Sequence, residues 1–287
     1  DIVFRNENND RLSIASKITG TGNVTFEGSA GRITLNNTGH DFISDVTLSP
    51  GGNVQLQGPA IPSGADLTVN GGLWYNNLSG AFTQTVAGLS GNSLVRVNWG
   101  SGTSTLEVGQ LNHDGTWHDA SFGGLIENGP TGGALALRKI GEGTQTLTGA
   151  STYSGGTTVV DGTLLVNNTT GSGTGSGPVL VAGGTLGGTG AIGGSVTVQS
   201  GTIAAGTSPG TLSIGGSYLQ QGGAILEAEL NGTAQGVSYD WIAVNDTATF
   251  EPGSIIEVVL GFEATHGMSF DILTAANGIT NVDLSGL

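Results

Sequence analysis

Short strand-like units recur along this chain in two interleaved registers, and that pattern limits the possible folds more than any other feature. Val24-Thr25-Phe26, Val46-Thr47-Leu48 and Leu67-Thr68-Val69 form one series, with steps of 22 and 21 residues. Ile33-Thr34-Leu35, Val54-Gln55-Leu56 and Leu73-Trp74-Tyr75 form the second, with steps of 21 and 19. Each unit alternates apolar, polar, apolar, so one face is buried and the other is wet. A later series shares an apolar-to-Gly-Thr-apolar step, with Gly-Thr at 162, 184 and 201. Two registers advancing together at about 21 residues predict a parallel β-helix of roughly 13 coils and a rod of about 60 Å.

Glycine supports this reading. The chain has 54 glycines in 287 residues, too few for a collagen triplet and too many for helical bundles, where each interior Gly costs roughly 1 kcal/mol relative to Ala. At solenoid corners Gly supplies the positive φ that a sharp turn requires. A pair of antiparallel sandwiches also uses short strands and many turns, but its strands return every 8–12 residues or so and it does not explain the paired registers. Only 10% of residues are charged, so the composition is not that of a disordered chain. The balance of 7 basic against 22 acidic residues, net −15, repels phosphate backbones and anionic lipids, and neither nucleic acid nor membrane insertion is expected. With no cysteine there is neither a disulfide framework nor a thiolate site. The start, Asp1-Ile2-Val3-Phe4, has no basic n-region or apolar h-region; a signal peptide, had there been one, is expected to have been removed or left out.

Leu137-Arg138-Lys139-Ile140-Gly141-Glu142-Gly143-Thr144-Gln145-Thr146-Leu147-Thr148-Gly149, followed by Tyr153-Ser154-Gly155-Gly156-Thr157-Thr158-Val159 and Gly162-Thr163-Leu164, closely resembles the autotransporter-associated β-strand repeat, also called the passenger-associated transport repeat. A more divergent copy runs from Ile18 to Leu56. Gly206 to Leu212, Tyr239-Asp240 and Phe270 to Ala275 look like the stretch that commonly closes such passengers. The resemblance implies a right-handed parallel β-helix secreted from, or displayed on, a bacterial surface, often a stalk and sometimes an adhesin; it implies no activity. Complete autotransporters carry a membrane barrel after the passenger; the 287 residues include none, and secretion through an attached barrel is not among the expectations. The expected organisation is an all-β solenoid over residues 1–217, with repeat copies at about 18–56 and 137–166, then a looser C-terminal β cap over 218–287. Gly171 to Gly177 reads as a loop bulging from a coil, because strand motifs of one type flank it.

Candidate chemistry is sparse. His113, Asp114, His118 and Asp119 are the most chemically loaded run, yet a spacing of i, i+5 fits neither helical ligands nor one strand face, and a polar turn without metal is expected. Trp117 beside them is expected to pack on the solenoid wall. Gly188-Thr189-Gly190-Ala191-Ile192-Gly193 matches a dinucleotide fingerprint literally but has no helix to open, and no cofactor is expected. Asp41, Asp45, Asp161 and Asp246 sit beside strand ends as turn residues. Glu227, Glu229 and Asp240 are close in sequence, but fold analogy alone supplies no active site, and no catalytic residue is assigned. Trp74 and Tyr75 are the best aromatic pair for stacking a surface glycan; neighbours on a strand point oppositely, so at most one is free to do so. Ile2, Val3 and Phe4 read as an open edge strand, from which head-to-tail self-association into a homo-oligomer or filament is expected.

Overall fold

The computed structural model describes residues 1–7, 10–28, 31–77, 80–206 and 209–281, the side chain of Asn77 excepted. Among these residues there are 33 strands and no helix, and every pairing between strands is parallel, as a helical coil stacked on its neighbours requires. The longest sheet holds 12 strands, from Ile2–Asn6 to Ile255–Leu260. It therefore counts twelve coils where about thirteen were expected, with an axial length of about 53 Å at about 4.8 Å per coil.

Among the described residues, nine of the twelve coils have a strand on each of three walls; those that begin at Val46, Thr144 and Thr163 have strands on two. After the long sheet, the early coils cross a six-stranded sheet built from Arg11–Ile14, Arg32–Leu35, Asn53–Leu56, Gly72–Asn77, Leu94–Gly100 and Leu125–Glu127. In the later coils a four-stranded sheet, from Ala191–Ile192 to Leu273–Ala275, takes the corresponding place. The third wall is a pair, Thr19–Gly20 with Asp41–Phe42, followed by nine strands from Thr83–Val86 to Ile279–Thr280.

The two interior ladders read from the sequence are present. Val24, Val46 and Leu67 stack in register, as do Ile33, Val54 and Leu73, and all six are completely buried. The Gly-Thr steps also stack: Thr163, Thr185 and Thr202 are in register, and Gly162, Gly184 and Gly201 before them have φ of 60°, 61° and 87°. A Cβ on Gly184 would lie 2.5 Å from the carbonyl oxygen of Gly162, so the corner excludes side chains both by dihedral and by space.

Side chains whose polarity suggests the surface also stand inside. Lys139 is in register with Val108 and Val159 and is 1% exposed. Its Nζ donates to the carbonyls of Ile140 (2.7 Å), Gly141 (2.6 Å) and Asp161 (3.1 Å). Gln145 points inward in the same way, accepting from Leu89 N at 3.0 Å and donating to Leu89 O at 2.9 Å. It bridges a level where the neighbouring strands share a single pair, Gly91 with Phe122. Buried polar groups are tolerable only when so partnered.

The ladders cross position 217 without a break: Val196 pairs with Tyr218, and Ile203 pairs with Leu226. Beyond it the coils lengthen, with Leu226 opposite Ile256 thirty positions on, and most of Ile255–Leu260 is exposed. The Gly171 to Gly177 segment is no linker. It lies within the coil stack, with Gly173 N donating to Ala191 O and Ser151 N donating to Ser172 O.

Candidate functional sites

The loop at 109–119 folds around His118. Its Nδ1–H donates to Asp66 Oδ2 at 2.5 Å and its Nε2–H donates to Asp114 Oδ2 at 3.0 Å. These bonds, that to Asp66 first, raise the imidazole above its ordinary pKa. Asp114 is pulled down to about 2, chiefly by the hydroxyl and backbone N–H of Thr116 and then by His118. With a carboxylate on each nitrogen, the ring is a charged clamp tying the loop to the coil that carries Asp66; neither nitrogen is free for general base work. His113 is not drawn in and instead packs against Gly64. Asp119 accepts from Thr144 N at 2.7 Å. Among the described residues no group of three or more His, Asp or Glu is arranged to hold a metal ion. Trp117 lies over the Gly141 corner, against the solenoid wall.

Other carboxylates are occupied by the architecture. Asp240 is buried, accepting from Gly210 N and Glu229 N, both at 2.9 Å, and burial raises its pKa. Glu227 and Glu229 face outward on one strand, as alternation requires. Asp45 accepts from Asp66 N, and Asp246 accepts from Ser217 Oγ and Asn277 Nδ2, so loop aspartates join successive coils. The Gly188 to Gly193 motif spans the corner between strands Thr185–Gly188 and Ala191–Ile192, with no helix to cradle a phosphate.

Of the two aromatic candidates for stacking, Tyr75 is a correction. It is 0% exposed and stacks on Phe82 with centroids 5.1 Å apart, inside the solenoid. Trp74 faces outward and is half-buried, because the guanidinium carbons of Arg32 and Arg96 each lie 5.2 Å from its ring centroid. Trp99, which sequence reasoning missed, joins them 4.8 Å from the guanidinium carbon of Arg32. The register shifts between Tyr75 and Asn76, which pair with Val97 and Trp99. This bulge turns Trp99 from the inward to the outward side.

Both outer strands of the long sheet present an edge. Ile2–Asn6 pairs with Val24–Gly28, and Ile255–Leu260 pairs with Ile225–Leu230; neither has a second partner among the described residues. Ile2 and Phe4 continue the interior ladder at one end, with Phe4 stacked on Phe26 at 5.4 Å. Ile256, Val258 and Leu260 continue it at the other, where Leu260 is 59% exposed. Val3, by contrast, faces solvent on the outer side.

Residues 137–166 match the family model of the passenger-associated-transport-repeat. The matched segment is about one coil with overlap: it begins at Leu137, which pairs with Thr157, and ends at Val166, which pairs with Leu147. It contains the Lys139 clamp, the inward Gln145 and the Gly162 corner. No curated protein matches the chain. Fold and comparison together define a parallel β-solenoid that carries one passenger-associated-transport-repeat, at residues 137–166.

Proposed function

We propose that the protein is a non-enzymatic structural solenoid, secreted or displayed on a bacterial surface, that extends by joining copies head to tail. The observation that carries this reading is the pair of open edges on the long sheet. An unpaired edge with alternate apolar side chains is a template for another strand. The two edges are complementary in one parallel register. Setting Ile256 beside Phe4 of the next copy places Ile255 beside Val3 and Glu257 beside Arg5. Interior then meets interior, and the charges are of opposite sign. Glu257 needs such a neighbour, since its in-register partner in its own chain is Glu227. Arg5 already bonds Glu27 at 2.7 Å on the next strand in, so the join would continue an alternating ladder. The contact is heterologous and need not close on itself, and copies stacked along the solenoid axis then form a filament.

Deleting residues 1–9 tests this. The full chain should form filaments one solenoid wide by negative-stain imaging, and the shortened chain should remain monomeric with unchanged β-rich circular dichroism. A full chain that stays monomeric at high concentration refutes it.

A further inference from the structure

The outer face of the six-stranded sheet inverts the charge of the molecule. The chain has 22 acidic and 7 basic residues, yet Arg11, Arg32 and Arg96 share this face with Glu127 as their one ion-pairing carboxylate, 3.5 Å from Arg96. Arg11 and Arg32 are in register on adjacent strands. Among the described residues neither makes an ion pair. Their hydrogen-bond partners among the described residues are neutral: Arg11 Nε donates to Thr34 Oγ1 at 2.9 Å, and Arg32 Nη1 donates to Gln55 Oε1 at 3.2 Å. Burial and the neighbouring Arg11 push the Arg32 guanidinium below its ordinary pKa. Like charges directly opposite destabilise a sheet, and carboxylates to relieve them are three times as abundant as cations in this chain.

Buried donors gather at the same place. Among the described residues Arg32 Nε, Gln55 Nε2, Trp74 Nε1 and Arg96 Nε have no hydrogen-bond partner, and Gln55 is 1% exposed. All four are N–H donors, so what the cluster lacks is acceptors. The bulge at Asn98 adds a second outward indole where a regular strand would have buried it. Arg11 and Arg32 lie one strand apart, about 4.8 Å and close to the advance of one sugar along an extended polysaccharide, and Arg96 lies three strands further on, about 14 Å.

We propose that this face binds a carboxylate-bearing polysaccharide, a polyuronate laid along the solenoid axis. Arg11 and Arg32 take sugar carboxylates through their guanidinium forks, Arg96 takes a further one in competition with Glu127, and the indoles of Trp74 and Trp99 hold the guanidinium planes and offer their rims to sugar C–H faces. The net charge of −15 opposes every polyanion, so the locally positive stripe acts at contact range and favours a polyuronate over more densely charged phosphate polymers. This binding does not depend on the ends of the solenoid associating.

The test is calorimetric titration of the full chain with an oligogalacturonate, with its carboxyl-reduced counterpart, and with a sulfated glycan of similar length. Binding of the first but not the second, weakening with salt, is expected. Arg11→Gln, at an exposed position, and the Arg11→Gln/Arg32→Gln double variant should weaken it progressively, the latter by about ten- to a hundredfold, with circular dichroism unchanged. No binding of the oligogalacturonate, equal binding of its reduced form, preference for the sulfated glycan, or an unaffected double variant would each overturn the proposal.

Discussion

The coils at 137–205 and those at 11–127 share an interior and differ in their skin. Inside, both are ladders of fully buried Val, Leu and Ile. Outside, the later coils present Thr144, Thr146, Thr158, Thr163, Thr185, Thr197 and Thr202 on flat walls, turned by stacked glycines. The earlier coils carry Arg11, Arg32, Trp74, Arg96 and Trp99 on one wall. In a solenoid the interior is fixed by stacking, so specific recognition can be written only on outward positions. The plain region carries no such pattern; the decorated one is where the proposed contacts fall.

The comparison can be broken most severely at the interior. Val46→Asp in the early coils and Val181→Asp in the later ones each bury an unpaired charge, and each should cost about 4 kcal/mol or more by chemical denaturation. A large loss in one region alone would contradict a shared interior. At the corners of the plain region, Gly184→Ala should cost about 2–3 kcal/mol, because the new Cβ meets backbone at a positive φ. Lys139→Met, isosteric in length, should cost about 1–3 kcal/mol by leaving three carbonyls unpartnered. Burial lowers the Lys139 pKa to about 8. The wild-type chain should therefore gain stability as pH rises from 8 towards 10.5 while Lys139→Met does not.

The smallest effect lies at the 109–119 loop of the early coils. His118 has a raised pKa, so its contribution is complete below about pH 6.5 and is lost as pH rises through the folded value. Asp114, which faces the ring with Asp66, is pulled down to about 2 and stays ionised across that range. A fall in Tm of about 1–3 °C on raising pH above this window is expected, absent in His118→Asn.

Sequence and structure agree where alternation and composition point the same way. Val24, Val46 and Leu67 could be placed because β-branched and aliphatic residues at period 2 have one sensible side. Gly162 and Gly184 could be placed because a corner needs positive φ. Lys139 and Gln145 were hidden because their polarity argues for the surface while their spacing puts them inside; the hydrogen bonds that make this possible come from neighbouring coils and leave no local signal. Trp99 was hidden by the bulge, since strict alternation assigns it inward. The coil count fell short because long loops stretch some coils, as where Gly91 lies opposite Phe122. Tyr75 and Trp74 formed a pair in sequence that the pleat separates to opposite faces.

The claim on which the account turns is that the edge at Ile255–Leu260 accepts the edge at Ile2–Asn6 of another copy in one register. The chain contains no cysteine, so an introduced pair reports this contact alone. Strands adjacent in a sheet bring in-register Cα atoms within disulfide range. Mixing Arg5→Cys with Glu257→Cys under mild oxidation should give a covalent heterodimer as the dominant product, well above either homodimer. Heterodimer no more abundant than the homodimers would contradict the join.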